Sequence, residues 1–356
     1  METHVGCPSG QLLIYMQIIK PSKLNIGDTV GVIAPSGVVK AKWLEAGVKI
    51  LEKWGFKTKL GKHIFKKVGD YSAGTPQERR EDFKNMIEDP EVKAITCAEG
   101  GYAANSILSS FSPEVIETIK NKPVIFFGYS DFCLFLNANF SFGVTGFHSP
   151  NLAGLSFHNK ETQESLRKAI IGEAELSFGK DFFTNIIIQG KAEGYFLPTN
   201  LETLTRLFGS KFDPLENFDG EIILGLEEVY EDKSTLIRMM EQVISHKGFE
   251  KIKGIVLGKF LIEREVEYPK WGEKITLSDI FISLLKEKNI PIVEFPHFGH
   301  MEEQRKAFKI LRKKAKPGKN IYGNDFFLSL PTGVKVVLNA FSENPLLAFK
   351  DQGVKV

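Results

Sequence analysis

The sequence predicts an α/β protein, with an N-terminal domain built on a parallel sheet and a smaller C-terminal domain of α/β or β-rich character. Three observations carry that prediction. Between residues 29 and 139, short apolar runs alternate with stretches of helical periodicity, the pattern of a parallel sheet covered on both faces. From about residue 143 the rhythm weakens and the chain becomes rich in Gly, Phe and short β runs. The length, 356 residues, exceeds the size at which a single core stops growing, so two domains are the default.

The elements follow in order. "TVGVIA", 29–34, is a continuous apolar strand closed by Pro35-Ser36-Gly37. "KAKWLEAGVKILEKWG", 40–55, is a helix with Leu44, Val48, Leu51 and Trp54 on one face and Gly55 at its end. "FKTKLG" is a short strand. "TPQERREDFKNMIEDP", 75–90, has Thr75 as N-cap and Pro76 at the first helical position. "VKAITC", 92–97, is a strand, Glu99-Gly100-Gly101-Tyr102 a turn, and "AANSILSSF" begins the next helix. "PVIFF" then leads into a Gly-Tyr-Ser-Asp corner and a helix to about Asn139.

An inter-domain connection is expected at 166–190, dividing an N-terminal domain (16–165) from a C-terminal one (191–345). In the second half, "GEIILGLEEV", "IKGIVLGKF" and "PIVEF" are strands, and "STLIRMMEQVISHKG" and "LSDIFISLLKEKN" are helices. "FFLSLPTGVKVVLNAFS" reads as a β-hairpin, and the basic run "RKKAKPGK", 312–319, as a solvated loop without interleaved aromatics.

Composition narrows the function classes. A formal net charge of +2 points to neither a nucleic-acid nor a membrane-surface partner. Cys7, Cys97 and Cys133 show no paired spacing, so neither a disulfide framework nor a cysteine metal site is expected, and a reducing cytoplasm fits. No apolar run approaches the ~20 residues that span a bilayer. "METHVGCPSGQLLIYM" lacks a basic n-region and is not read as a signal peptide. Met16 opens a second natural start, with residues 1–15 either an upstream extension or a remnant of cloning. No His/Asp/Glu cluster has metal-ligand spacing and no Gly-x-Gly-x-x-Gly follows a strand, so no metal or cofactor is expected.

The corner at Ser130 poses the functional question. A strand that turns abruptly into a helix exposes the corner side chain above the sheet edge, beside backbone N–H groups and the positive helix end. That geometry suits a nucleophile with oxyanion donors at hand, and Gly128 permits the close approach. Judged on this segment alone, Ser130 is better read as the N-cap of the following helix. A nucleophile needs a base and an orienting group. "FPHFGHMEE" places His300 after the strand "PIVEF", and Glu227 and Glu228 end the strand "GEIILGLEEV", where open-sheet sites gather. Cys133, one helical turn after Ser130 and read as buried, is discounted as a rival nucleophile.

Taken in order, the motifs resemble the LD-carboxypeptidases, serine peptidases with a Ser–Glu–His triad. The resemblance runs from about Leu24 to Ala340. "GDTVGVIAPSG" is similar to the family's opening Gly-Asp strand ending in Pro-Ser, and "EGGYAANSIL" to its Arg-Gly-Gly-Tyr-Gly segment. "FFGYSDFCLF" matches the nucleophile segment, "GVTGFHSPNL" the His-Gly-Pro segment, and "TNLETLTRLFGS" the Gly-Asn-Leu helix. "IILGLEEV" resembles the Leu-Glu-Asp strand and "FGHMEE" the Phe-Gly-His motif.

The resemblance implies Ser130 as nucleophile, His300 as general base and Glu227 as the carboxylate orienting it, with Glu228 as runner-up. It implies an oxyanion hole from the N–H groups of Asp131 and Gly101, with Gly100 the alternative. Gly100, Tyr102, Asn200, His148 and Glu228 are candidate substrate contacts. Nucleophile and base, 97 and 73 residues to either side of Glu227, then fall on different domains with the substrate in the cleft between them. A cytoplasmic homodimer is likewise implied.

Departures from the family pattern surround the pocket. Glu99 stands for Arg, Ala103 for Gly, Ser149 for Gly, and "PTN", 198–200, for Gly-Gly-Asn; the segment after His300 is long. A Glu in place of Arg inverts the local charge, which favours a cationic substrate group or breaks a structural pair. The implied substrates are a murein-type tetrapeptide losing a terminal D-amino acid, or a peptidyl or aminoacyl nucleotide as in the microcin-immunity branch. A catalytically silent ligand-binding relative is a third reading. Arg206 and Lys259 are candidate cations for a substrate carboxylate, and Tyr268 and Trp271 candidate aromatics for a nucleotide base.

Overall fold

Val30, Val32 and Ile33 are buried because the strand they form is covered on both faces, as its unbroken apolar run requires. This strand, β1 (Thr29–Ile33), pairs in parallel with β2 (Lys57–Leu60) and β3 (Val92–Cys97). β3 pairs with β4 (Ile125–Gly128), and β4 with β5 (Gly146–His148), again in parallel. The computed structural model describes residues 16–262, 275–301 and 317–356. Residues 1–15, Tyr268, Trp271, residues 302–316 of the segment after His300 and with them most of the basic run lie outside them. Among the described residues, no helix is long and apolar enough to cross a membrane.

The helices cover this sheet as their patterns demand. Ala41–Lys53 buries Leu44 and Leu51. Pro76–Glu88 starts in a capping box: the Thr75 hydroxyl accepts from the Glu78 N–H at 3.2 Å, and the Glu78 carboxylate accepts from the Thr75 N–H at 2.8 Å. Phe83, Phe111 and Phe135 pack with ring centroids 4.9–6.0 Å apart, next to Phe126 and Phe132. These five phenylalanines form the wall behind the Ser130 corner.

A second, eight-stranded sheet holds the remainder. Its strands are β6 (Ser177–Phe178), β7 (Asn185–Ile188), β8 (Lys191–Asn200), β9 (Ile222–Val229), β10 (Ile252–Leu261) and β11 (Ile292–Glu294). They are joined, after β12 (Leu330–Thr332), by β13 (Lys335–Asn339) and β14 (Leu346–Phe349). The order is β6-β14-β13-β8-β9-β10-β11-β7, with β8 to β11 parallel. Their C-terminal ends lie side by side. Asn200 ends β8, Glu227 and Glu228 lie near the end of β9, and His300 follows β11, so residues remote in sequence share one edge.

Four expectations change. "AANSILSSF" forms a 3₁₀ turn, Ala104–Ser110, and not the start of an α-helix. Hydroxyls take its carbonyls (Ser106 Oγ to Ala103 O at 2.8 Å, Ser109 Oγ to Ser106 O at 3.2 Å), and the helix proper begins at Pro113 with Ser112 as cap. "FFLSLPTGVKVVLNAFS" is not a hairpin. β12 pairs antiparallel with β5 in the first sheet, whose order is β12-β5-β4-β3-β1-β2, while β13 pairs with β8 and β14 in the second. The chain changes sheets at Gly333, whose positive φ of 74° and N–H bond to Phe196 O make the turn. Residues 166–190 are not bare connection either: they hold the end of helix Lys160–Ile170 and the edge strands β6 and β7. The fourth change concerns Ser130 itself.

Candidate active site

Ser130 follows β4 directly and has φ of 60°, one of three described non-glycine residues in the left-handed region. Such a backbone costs about 1–3 kcal/mol and persists only where its surroundings impose it. The hydroxyl does not serve as a helix cap: a 3₁₀ turn, Ser130–Phe132, precedes helix Cys133–Ser141, and neither start has a side-chain cap bond. Ser130 is partly exposed, while Tyr129, Asp131, Phe132 and Cys133 around it are buried. Asn151 imposes the turn by accepting the Tyr129 N–H at 3.0 Å and the Cys97 thiol at 2.9 Å on the same Oδ1.

Asp131 ties the corner to its neighbours. Its Oδ2 accepts the Ser36 hydroxyl at 2.5 Å and the Ala104 N–H at 2.8 Å, and its Oδ1 accepts from Arg206 Nη1 at 2.9 Å. Ser36 Oγ accepts in turn from the Ala103 N–H at 2.9 Å, and the Gly37 N–H donates to Gly100 O at 2.8 Å. The turn carrying Gly100 and Gly101 is thus braced against the serine corner. A Cβ on Gly100 would lie 2.9 Å from Ser130 Oγ, so only glycine fits there. The Gly100 N–H is drawn to the Glu99 carboxylate at 3.2 Å, whereas the Gly101 N–H has no acceptor among the described residues.

The imidazole and carboxylate meet at the edge of the second sheet. His300 Nδ1 lies 2.7 Å from Glu227 Oε2, and the His300 backbone N–H donates to the same oxygen at 3.2 Å. Gly299, with φ of 96°, allows this approach, since a Cβ there would lie 2.5 Å from Glu227 Cβ. Burial opposes charge on both groups, but their mutual attraction prevails. It lowers Glu227 below the usual carboxylate range and raises His300 above its ordinary 6.5. The His300 ring packs on Tyr129, the residue before the serine, with centroids 4.8 Å apart. With Nδ1 engaged, Nε2 is the nitrogen left to exchange a proton with a hydroxyl.

The other predicted residues divide. Asn200 and Glu228 are turned on each other: Asn200 Nδ2 donates to Glu228 Oε1 at 3.0 Å, and Asn200 Oδ1 caps the following helix through Thr203 N. Burial, reinforced by the charge of Glu227, pushes the Glu228 carboxyl up to about 7. His148 is fully buried, its Nε2 4.0 Å from Glu227 Oε1, and desolvation holds it at about 4. Tyr102 stands out into solvent, 72% exposed. Burial raises the Cys133 thiol, which removes it as a nucleophile. Neither candidate cation is free: Arg206 pairs with Asp131 and Glu202, and Lys259 with Asp325.

Sequence reasoning assigned no role to Ser36 or Asn151, although both lie inside quoted motifs, "APSG" and "HSPNL". Asp213, Glu216 and His246 gather potential metal-ligand atoms within 4.8 Å of one another, a group their spacing conceals. Its donors are already used: His246 bonds Asp213 at 2.8 Å and the Gly248 N–H at 2.9 Å, and Glu216 pairs with Lys247 at 2.6 Å.

Comparison with known proteins agrees with this architecture. Models of the LD-carboxypeptidase N-terminal and C-terminal domains match residues 30–149 and 193–310. A probable murein peptide carboxypeptidase of Bacillus subtilis is 34% identical over 246 residues, covering 68% of this chain and 75% of its own. The microcin C7 self-immunity protein MccF of Escherichia coli is 26% identical over 317 residues, covering 80% of this chain and 89% of its own. The structure of MccF in complex with glutamyl sulfamoyl guanosine superposes with a TM-score of 0.73 at 22% identity, over 95% of this chain and 100% of that one.

Proposed function

We propose that this chain, which belongs to the LD-carboxypeptidase family and is a serine-carboxypeptidase-like enzyme, removes the terminal D-amino acid of a murein-type tetrapeptide through an acyl-enzyme on Ser130. The observation that carries the reading is the buried Glu227–His300 pair packed on Tyr129, next to a serine held in a left-handed corner. In this reading His300 Nε2 takes the Ser130 Oγ proton as the oxygen attacks the scissile carbonyl carbon. The carbonyl electrons move onto its oxygen, which the N–H groups of Asp131 and Gly101 receive. The imidazolium, stabilised by Glu227, then protonates the departing amine, leaving an ester on Ser130. Water, deprotonated by His300, attacks that ester and restores the free hydroxyl.

A second substrate, an aminoacyl or peptidyl nucleotide, is favoured by one observation. A terminal carboxylate asks for a cation, yet Arg206 and Lys259 are both committed to carboxylates and Glu99 brings a negative charge. A substrate panel separates the two: murein tetrapeptide against an aminoacyl sulfamoyl adenosine, each with wild type and Ser130→Ala, product followed by mass. Wild type is expected to release the D-amino acid and Ser130→Ala to be inactive. Turnover of the nucleotide alone would transfer the assignment to the second reading, and activity retained without the Ser130 hydroxyl would remove the serine mechanism. The family resemblance also implies a cytoplasmic homodimer, which light scattering of the purified chain tests for assembly.

A further inference from the structure

Asp131 puts a negative charge on the residue next to Ser130, and its side chain is fully buried. The same residue supplies one of the two N–H groups assigned to the oxyanion. A buried carboxylate beside the point where negative charge develops opposes that charge, because water does not screen it there. Two of its hydrogen-bond donors, the Ser36 hydroxyl and the Ala104 N–H, are neutral. The compensating charge comes from Arg206, whose Nη1 lies 2.9 Å from Asp131 Oδ1.

Arg206 reaches Asp131 from the other domain. Asp131 lies in the segment 30–149 and Arg206 in the segment 193–310, which match the N-terminal and C-terminal family domains. Glu202 aims the guanidinium: it accepts from Nε at 2.9 Å and also from Nη2, which leaves Nη1 for Asp131. Glu202 is itself fixed, since its backbone N–H donates to Glu228 Oε2 at 2.8 Å, and Glu228 Oε1 accepts from Asn200 Nδ2 at 3.0 Å. Glu228 directly follows Glu227, the partner of His300. A chain of hydrogen bonds therefore runs from the strand edge that holds the imidazole and its carboxylate to the corner that holds the serine. Of the two carboxylates on Arg206, Glu202 is 37% exposed and screened by solvent, so the charge of the guanidinium counts most at buried Asp131.

We propose, on the reading that Ser130 is the nucleophile, that Arg206 is a positioning residue for the reaction. Acting through Asp131 from the opposite domain, it fixes the Asp131 N–H against the oxyanion and cancels the carboxylate charge that would repel it. Removing the Arg206 charge therefore slows attack by Ser130, and removing the Asp131 charge as well restores part of the rate.

The rate at which a fluorophosphonate labels the full chain, followed by intact mass, tests this. In that reaction Ser130 Oγ displaces fluoride from phosphorus, its proton passes to His300, and negative charge gathers on the phosphoryl oxygen. Wild type is expected to gain the adduct and Ser130→Ala not to. Arg206→Gln, which keeps an N–H donor, should label about 10–100-fold more slowly. Arg206→Lys, which keeps the charge, should label faster than Arg206→Gln. Arg206→Gln combined with Asp131→Asn should also label faster than Arg206→Gln alone, a recovery that a merely structural role would not produce. Melting curves set the assay temperature below the transition of every variant. Labelling of Arg206→Gln at the wild-type rate, or a double variant no faster than Arg206→Gln, overturns the role of Arg206 and leaves Ser130 as the nucleophile. An unlabelled wild type, or labelling kept by Ser130→Ala, removes the serine reading and this proposal with it.

Discussion

Replacing Glu227 by Gln removes the charge that makes the His300 imidazole basic, and the protein carries its own control for the size of the effect. His148 is also buried within reach of Glu227, but at 4.0 Å and without a hydrogen bond, and it is held at about 4. His300 touches Glu227 at 2.7 Å and is raised above 6.5. The two imidazoles are therefore moved in opposite directions from 6.5, and the one hydrogen-bonded to the carboxylate is the one raised. In the wild type, kcat/KM should rise with pH as His300 loses its proton, with a midpoint above 6.5. In Glu227→Gln the midpoint should fall below 6.5, towards the value of about 4 that His148 already has. The rate above both midpoints should fall by on the order of 10⁴, because Gln neither stabilises the imidazolium nor holds the reactive tautomer. Initial rates between about pH 4 and pH 9, with circular dichroism to verify folding, read both effects. An acid limb that stays in place, or a loss of less than tenfold, would refute the role assigned to this carboxylate.

Gly100→Ala should lower kcat by about 10² or more with little change in melting temperature, because the new methyl meets Ser130 Oγ at 2.9 Å; unchanged turnover would contradict the site geometry. Arg206→Leu should destabilise by about 2 kcal/mol, less than a fully buried pair because the guanidinium is 22% exposed and Asp131 keeps two other donors. Denaturant midpoints of Arg206→Leu, Asp131→Asn and the double variant check it, and strictly additive effects would exclude the coupling. His148 and His158 stay neutral in the fold while the unfolded chain protonates near 6.5. Stability should therefore be full above about 6.5 and decline as pH falls towards about 4 and about 3. Melting curves at about pH 7.5 and pH 5 should diverge less in His158→Phe than in wild type, and equal divergence would refute the assignment.

The alternation from β1 to helix Cys133–Ser141 was legible because the central strands β1, β3 and β4 are buried on both faces and read as near-continuous apolar runs, while helices such as Ala41–Lys53 bury one face and show its period. The Thr75-Pro76-Glu78 start was legible because a capping box is local chemistry. Ser130, Glu227 and His300 could be named together because the ordered motifs around them resemble those of the LD-carboxypeptidases; taken singly, a corner serine and a carboxylate or imidazole after a strand are ambiguous. Ala104–Ser110 misled because serine hydroxyls compete for carbonyls that periodicity assigns to a helix. Arg206 misled because an arginine that binds Asp131 and one that awaits a substrate look alike in one dimension.

By itself, then, the order of residues determined most of the strands and helices, where Ser130 turns, and that Glu227 lies near the end of one strand while His300 follows another, since these depend on neighbours a few positions away. Only the tertiary structure decided that β12 and β13 part at Gly333 into different sheets, and that Asn151 and Asp131 hold the serine corner. Those outcomes depend on contacts between residues up to 186 positions apart, as between Gly146 and Thr332. Such contacts are selected by the packing of the whole chain, and local pattern carries no record of them.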